Sequence, residues 1–169
     1  MTAPREVELR RRRLVATFDR IELLKGLKDP AELEAEYARH LCVLVCGFLE
    51  RSVGEIIIAY AFGKAARPLL SFVEASARRL GNLDKERLLA VVGSLDAGWR
   101  DELDRFVVDE KKEALNSVVG LRRDIAHGGD GRVSLDQIRK YWVSIQSIVD
   151  KVADLVISAP IPPARPRRG

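Results

Sequence analysis

Apolar residues recur along this chain three or four positions apart, the spacing of an amphipathic helix, and they do not alternate as strands require. Val7, Leu14, Phe18, Ile21 and Leu24 line one stripe of a first helix predicted to end near Gly26. Asp29 then suits an N-cap and Pro30 a first turn, opening a long helix over about 31–62. Its middle is apolar on nearly every face, so it is predicted to be the central core helix. Pro68 starts a shorter helix to about Leu80, Asn82 to Asp84 cap another through Leu95, and Asp96 begins a stretch bent near Asp109. That stretch carries Leu115, Val118, Val119 and Ile125 inward and runs into the loop Gly128-Gly129-Asp130-Gly131. Ser134 and Gln137 have the spacing of a capping box for a last helix that buries Ile138, Tyr141, Trp142, Ile145, Ile148, Val149, Val152 and Leu155. From Ser158 onward the prolines cannot continue it.

The pattern predicts one all-α domain over 1–157, with an N-terminal helix in 1–26 and a core in 31–157, followed by a Pro/Arg-rich flexible tail over 158–169. Apolar residues make up 47% and charged residues 32% of the 169, which excludes a disordered chain. The longest apolar run, Leu41 to Leu49, is nine residues, well short of the roughly 20 that a membrane helix needs. No apolar signal core is visible, so a soluble cytoplasmic protein with no membrane partner is expected. Cys42 and Cys46 lie four apart in that run, a spacing poor for a disulfide, and only His40 is a nearby extra ligand. They read as small buried hydrophobes.

The net charge of +4 is uneven: Arg10 to Arg13 form a block, and Arg165, Arg167 and Arg168 lie in the tail. Such a block can attract phosphate, but it is more often the solvated face of a helix.

The chemistry concentrates in Leu121-Arg122-Arg123-Asp124-Ile125-Ala126-His127-Gly128-Gly129, which places two guanidiniums, a carboxylate and an imidazole at a predicted helix end. Arginine forks onto phosphate oxygens, and histidine is the side chain that gives and takes a proton near neutral pH. Together they suffice for phosphodiester chemistry without a metal or other cofactor. Arg123 and Asp124 share a helical face with His127, whereas Arg122 lies about 140° round from it. Arg122 joins His127 at one site if the helix ends near Ala126, or if a second subunit completes the site. The same residues also make an ordinary helix stop, with glycine past the end and cations at the negative dipole.

The run Asn116-Ser117-Val118-Val119-Gly120-Leu121-Arg122-Arg123-Asp124-Ile125-Ala126-His127-Gly128 resembles the Arg-x4-His-Gly signature of the HEPN superfamily. Tyr37-Ala38-Arg39-His40-Leu41 and Gly47-Phe48-Leu49-Glu50-Arg51-Ser52-Val53 are similar to its RiboL-PSP-HEPN branch, and the likeness runs from about Glu34 to Val152. The resemblance implies an all-α HEPN-like bundle of about five to seven helices with a long central helix. It further implies a metal-independent endoribonuclease with its active site at a symmetric dimer interface, a type often used in toxin and antiphage systems. Arg122 and His127 take the places of the motif arginine and histidine. The residue after the motif arginine, usually Asn, Asp or His in active members, is Arg123 here, and a carboxylate follows at Asp124.

Glu50 is expected to orient a motif arginine; its alternatives are an exposed carboxylate or one paired with Arg51. Asn116 can either orient a phosphate or cap a local kink. Tyr141 and Trp142 are expected in the core rather than at a base. The expected partners are RNA, a second copy of the chain and an antitoxin or other protein. A non-catalytic module that binds RNA, a nucleotide or a protein is the competing reading.

Overall fold

The computed structural model describes residues 3–23 and 30–157, which form seven helices and no strand. They are α1 (Arg5–Glu22), α2 (Pro30–Ala61), α3 (Arg67–Ala77), α4 (Lys85–Gly93), α5 (Ala97–Phe106), α6 (Asp109–Ala126) and α7 (Leu135–Ile157). The expected end of the first helix near Gly26, its stripe residue Leu24, the Asp29 cap and the tail after Ile157 lie outside the described residues.

As its all-round apolar middle predicts, α2 is the axis of the bundle. It packs against α7, α1, α3 and α6, and it buries Leu41, Cys42, Val45, Cys46, Phe48, Leu49, Val53, Ile56 and Ile57. The amphipathic stripe of α7 closes the other side of the core. Its Trp142 indole stacks on Phe18 at 5.9 Å and meets Phe48 edge-on at 4.8 Å, tying three helices together. Trp142 is therefore core, whereas Tyr141 is only half-buried.

Local chemistry sets three of the helix starts. Asp84 accepts from the Arg87 N–H, Asp96 from the Trp99 N–H and the Ser134 hydroxyl from the Gln137 N–H, each between 3.0 and 3.1 Å. The predicted bend near Asp109 is a full break. Val107 is buried and leaves the helix at φ −89°, ψ 71°, Val108 is extended, and Asp109 opens α6 at φ 46°. Anchoring Val107 in the core redirects the chain, so α6 sets out on its own line. Two helices stop slightly earlier than the pattern predicts: α3 at Ala77 rather than Leu80, and α4 at Gly93 rather than Leu95. Residues beyond each stop continue as a turn, with Leu80 N–H bonded to Ala77 and Leu95 N–H to Val92.

The Arg10–Arg13 block divides by direction. Arg11 turns inward, bonding Asp150 and Gln146 of α7 and lying 5.8 Å over the Phe48 ring, while Arg12 and Arg13 are exposed. Among the described residues, no helix is long and apolar enough to cross a membrane.

Candidate functional site

The site is assembled where α6 ends against α2. Ala114, Leu115, Val118 and Val119 form the buried face of α6, and the Cys42 thiol donates to the Val118 carbonyl at 3.7 Å, pinning the two helices together. One turn further along α6 comes Arg122, and one turn further along α2 comes Cys46. Arg122 is half-buried in this seam. Burial pushes the Cys46 thiol up to about 12; the Glu50 carboxylate adds to the rise and the Arg122 charge opposes it.

Glu50 lies in the same seam but is committed elsewhere. Its Oε1 accepts the Asn82 N–H at 2.6 Å and the Cys46 thiol at 3.7 Å, and among the described residues no ion pair joins it to Arg122 or Arg51. Asn116 behaves alike, its Oδ1 accepting the Lys85 N–H at 3.0 Å. Both side chains thus hold the α3–α4 connection against α2 and α6. Asn82, read from the sequence only as part of a helix cap, is the residue that makes this possible. It adopts φ 52°, which a short amide side chain tolerates, and so turns its N–H toward Glu50. Its own Oδ1 is buried without a partner. The one sequence signal for this cluster was the four-residue spacing of Cys46 and Glu50 on α2.

The C-terminus of α6 closes with two bonds of a Schellman motif. Gly128 N–H bonds to the Ile125 carbonyl at 3.1 Å and Gly129 N–H to the Asp124 carbonyl at 3.0 Å, with Gly128 at φ 80°. A β-carbon on Gly129 would collide with the Asp124 carboxylate, whose Oδ2 accepts the Gly131 N–H at 3.0 Å. Asp124 therefore staples the loop rather than reaching His127. The capping reading of this stretch holds, and it uses backbone groups and the Asp124 carboxylate, not the side chains of Arg122, Arg123 and His127.

His127 is the C-cap residue, with φ −96° and ψ 11°, and its side chain is exposed, as is that of Arg123. The helix ends at Ala126, the condition under which Arg122 and His127 can serve one ligand. Within one chain they still diverge, Arg122 into the α2 seam and His127 with Arg123 to the outer face. Gly120 precedes Arg123 by about one turn, and nothing lies within 4 Å of where a Gly120 β-carbon would stand. Among the described residues the side chains of Arg122, Arg123 and His127 make no hydrogen bond or ion pair, while both nearby carboxylates are spent on backbone N–H groups. Arg123 and His127 thereby face solvent and Arg122 stays half-buried beside Cys46, so that each side chain keeps its own donors free for a phosphate.

Just past the motif loop, a cavity of about 460 Å³ opens between α2 and residues 131–135, with Arg39, Arg132 and Ser134 on its wall. No group of three or more His, Cys, Asp or Glu side chains is arranged to hold a metal ion among the described residues.

An all-α bundle around one long helix, with Arg-x4-His closing its penultimate helix, defines a HEPN-type domain. The chain belongs to the RiboL-PSP-HEPN family, whose model matches residues 9–158. No curated protein and no solved structure gives a significant match.

Proposed function

We propose that the protein is a metal-independent endoribonuclease of HEPN type, acting as a dimer, with a toxin or antiphage effector as its cellular role. The observation that carries this reading is that, among the described residues, Arg122, Arg123 and His127 have no side-chain partner beside two carboxylates that accept backbone N–H groups. Half-buried arginine without a counter-ion is costly, and a phosphate oxygen offsets that cost. A second protomer docked on the outer face of α6, where the open surface at Gly120 allows close backbone approach, would bring two such sets together.

RNA supplies its own nucleophile. The imidazole of His127 takes the proton from the 2'-hydroxyl, whose oxygen attacks the adjacent phosphorus. Arg122, with Arg123 as a second contact, neutralises the charge that builds on the non-bridging oxygens. The bond from phosphorus to the 5'-oxygen breaks as that oxygen receives a proton from the second protomer's imidazole. The products are a 2',3'-cyclic phosphate and a 5'-hydroxyl, with no net consumption of water.

Arg123 favours a second reading, because active relatives usually carry Asn, Asp or His at that place. In it the same cationic surface binds RNA, a nucleotide or an acidic protein without cleavage. One assay separates the two: structured and unstructured RNA are incubated with the protein in EDTA beside the His127→Ala variant. Cleavage by wild type alone, leaving cyclic phosphate ends, supports the enzyme; RNA bound but uncut by both supports the binding module.

A further inference from the structure

A groove of about 420 Å³ runs between α1 and α2, and the motif makes no use of it. Its floor is apolar, formed by Leu14, Val43, Leu44 and the glycine surface of Gly47; Arg10, Arg13 and Arg51 stand around it. Val43 is 40% exposed although it lies in the most apolar part of the chain. Glycine inside a helix costs about 1 kcal/mol relative to alanine, and among the described residues no atom lies within 4 Å of where a β-carbon at 47 would stand. The space it leaves opens into the groove.

The rim is short of negative charge. Arg10 reaches Glu55 at 3.7 Å, yet its Nε is buried without a partner. Among the described residues, Arg13 and Arg51 have no acidic partner at all. Three guanidiniums around an apolar floor call for a ligand that is apolar along one side and acidic along its edges.

We infer that this groove docks an acidic amphipathic helix of a protein partner, with apolar side chains over Val43 and Gly47 and carboxylates on Arg10, Arg13 and Arg51. Two other occupants fit less well. RNA would engage the three arginines through phosphate but would leave the apolar floor of Leu14, Val43 and Leu44 unused, since the one aromatic ring there, Phe48, is only 4% exposed. The chain's own residues after Ile157 carry Arg165, Arg167 and Arg168 and no acid, so they repel the rim. Gly47 follows Cys46 by one residue and so lies about 100° round α2 from the Arg122 seam. A helix in the groove therefore leaves the motif open, and the inference does not depend on whether RNA is cleaved.

The probe is a fluorescent, stapled Leu/Glu helix of about 14 residues, roughly four turns, read by anisotropy on the full chain. A control keeps every Glu and replaces each Leu with Ser. The Leu/Glu helix is expected to bind in the micromolar range and the control at least about tenfold more weakly. Gly47→Leu adds bulk to the floor at a position where a β-carbon meets nothing, and it should weaken binding about tenfold or more while melting no lower than wild type. Arg13→Glu with Arg51→Glu should do the same, and a Leu/Lys helix should then bind that variant better than wild type. Equal binding of helix and Ser control would reduce the groove to charge adsorption and overturn the inference. So would undiminished binding to Gly47→Leu, or failure of the Leu/Glu helix to bind. Displacement of the helix by an RNA oligonucleotide would reassign the groove to RNA, and dissociation of a wild-type dimer by Gly47→Leu would reassign it to a second copy.

Discussion

Two arginine-rich stretches lie on helices in this molecule, and their neighbours make them different. In α1, Arg11 finds Glu8, Asp150 and Gln146 and lies over the Phe48 ring, so its charge is spent on joining α1 to α7. At the end of α6, the adjacent carboxylates of Asp124 and Glu50 accept the Gly131 and Asn82 N–H groups, and among the described residues Arg122 and Arg123 form no ion pair. A charged helix face becomes a structural tie or stays unpaired according to what the carboxylates around it are doing. Residue type does not decide it.

The largest effect that could break this comparison is on cleavage. His127→Ala should slow RNA cleavage by about 10² to 10⁴, with the helical circular dichroism unchanged. Arg122→Ala should lower kcat more than RNA affinity, since Arg123 still holds phosphate, and Arg122→Lys should restore little because it lacks the planar fork. Full activity in His127→Ala, measured by release of cyclic phosphate ends, would remove the α6 end from the chemistry.

Arg11→Ala should show the opposite profile. Loss of charge-assisted bonds and of stem packing on Phe48 should lower stability by about 1.5–3 kcal/mol in urea, with the rate per folded molecule unchanged. If cleavage falls while stability holds, the division between structural and ligand-facing arginines is wrong.

Gly120→Ala sharpens the comparison by separating fold from assembly. In the monomer it should be neutral or stabilising by up to about 1 kcal/mol, because the β-carbon meets nothing. If the outer face of α6 meets a second protomer at that glycine, sedimentation should show a weaker dimer and activity should fall with it. A dimer of unchanged strength would place the interface elsewhere.

The smallest effect concerns the thiols under the seam. Burial pushes Cys42 to about 11 and Cys46 to about 12, above the usual 9.0. A thiol raised in this way leaves stability intact below its unfolded value and costs stability as the pH climbs from about 9 toward 12, where only the unfolded chain ionises freely. Native alkylation at pH 8 should be slow and should become fast in denaturant, and Cys46→Ala should flatten the alkaline loss of stability. Rapid native alkylation would mean that the α2–α6 seam opens readily.

The sequence by itself determined the helices, the central place of α2, the caps at Asp84, Asp96 and Ser134 and the glycine stop after His127. These depend on groups a few residues apart, and backbone bonding and apolar periodicity are local along the chain. It also brought Arg122 and His127 forward as a motif. Tertiary structure alone decided what the remaining site residues do. Glu50 meets Asn82 and Asn116 meets Lys85 across more than thirty positions, Arg11 meets Asp150 across 139, and Val107 turns a bend into a break because the core holds it. A side chain with one carboxylate or amide can satisfy any of several donors, and which one it meets depends on where packing brings distant segments together.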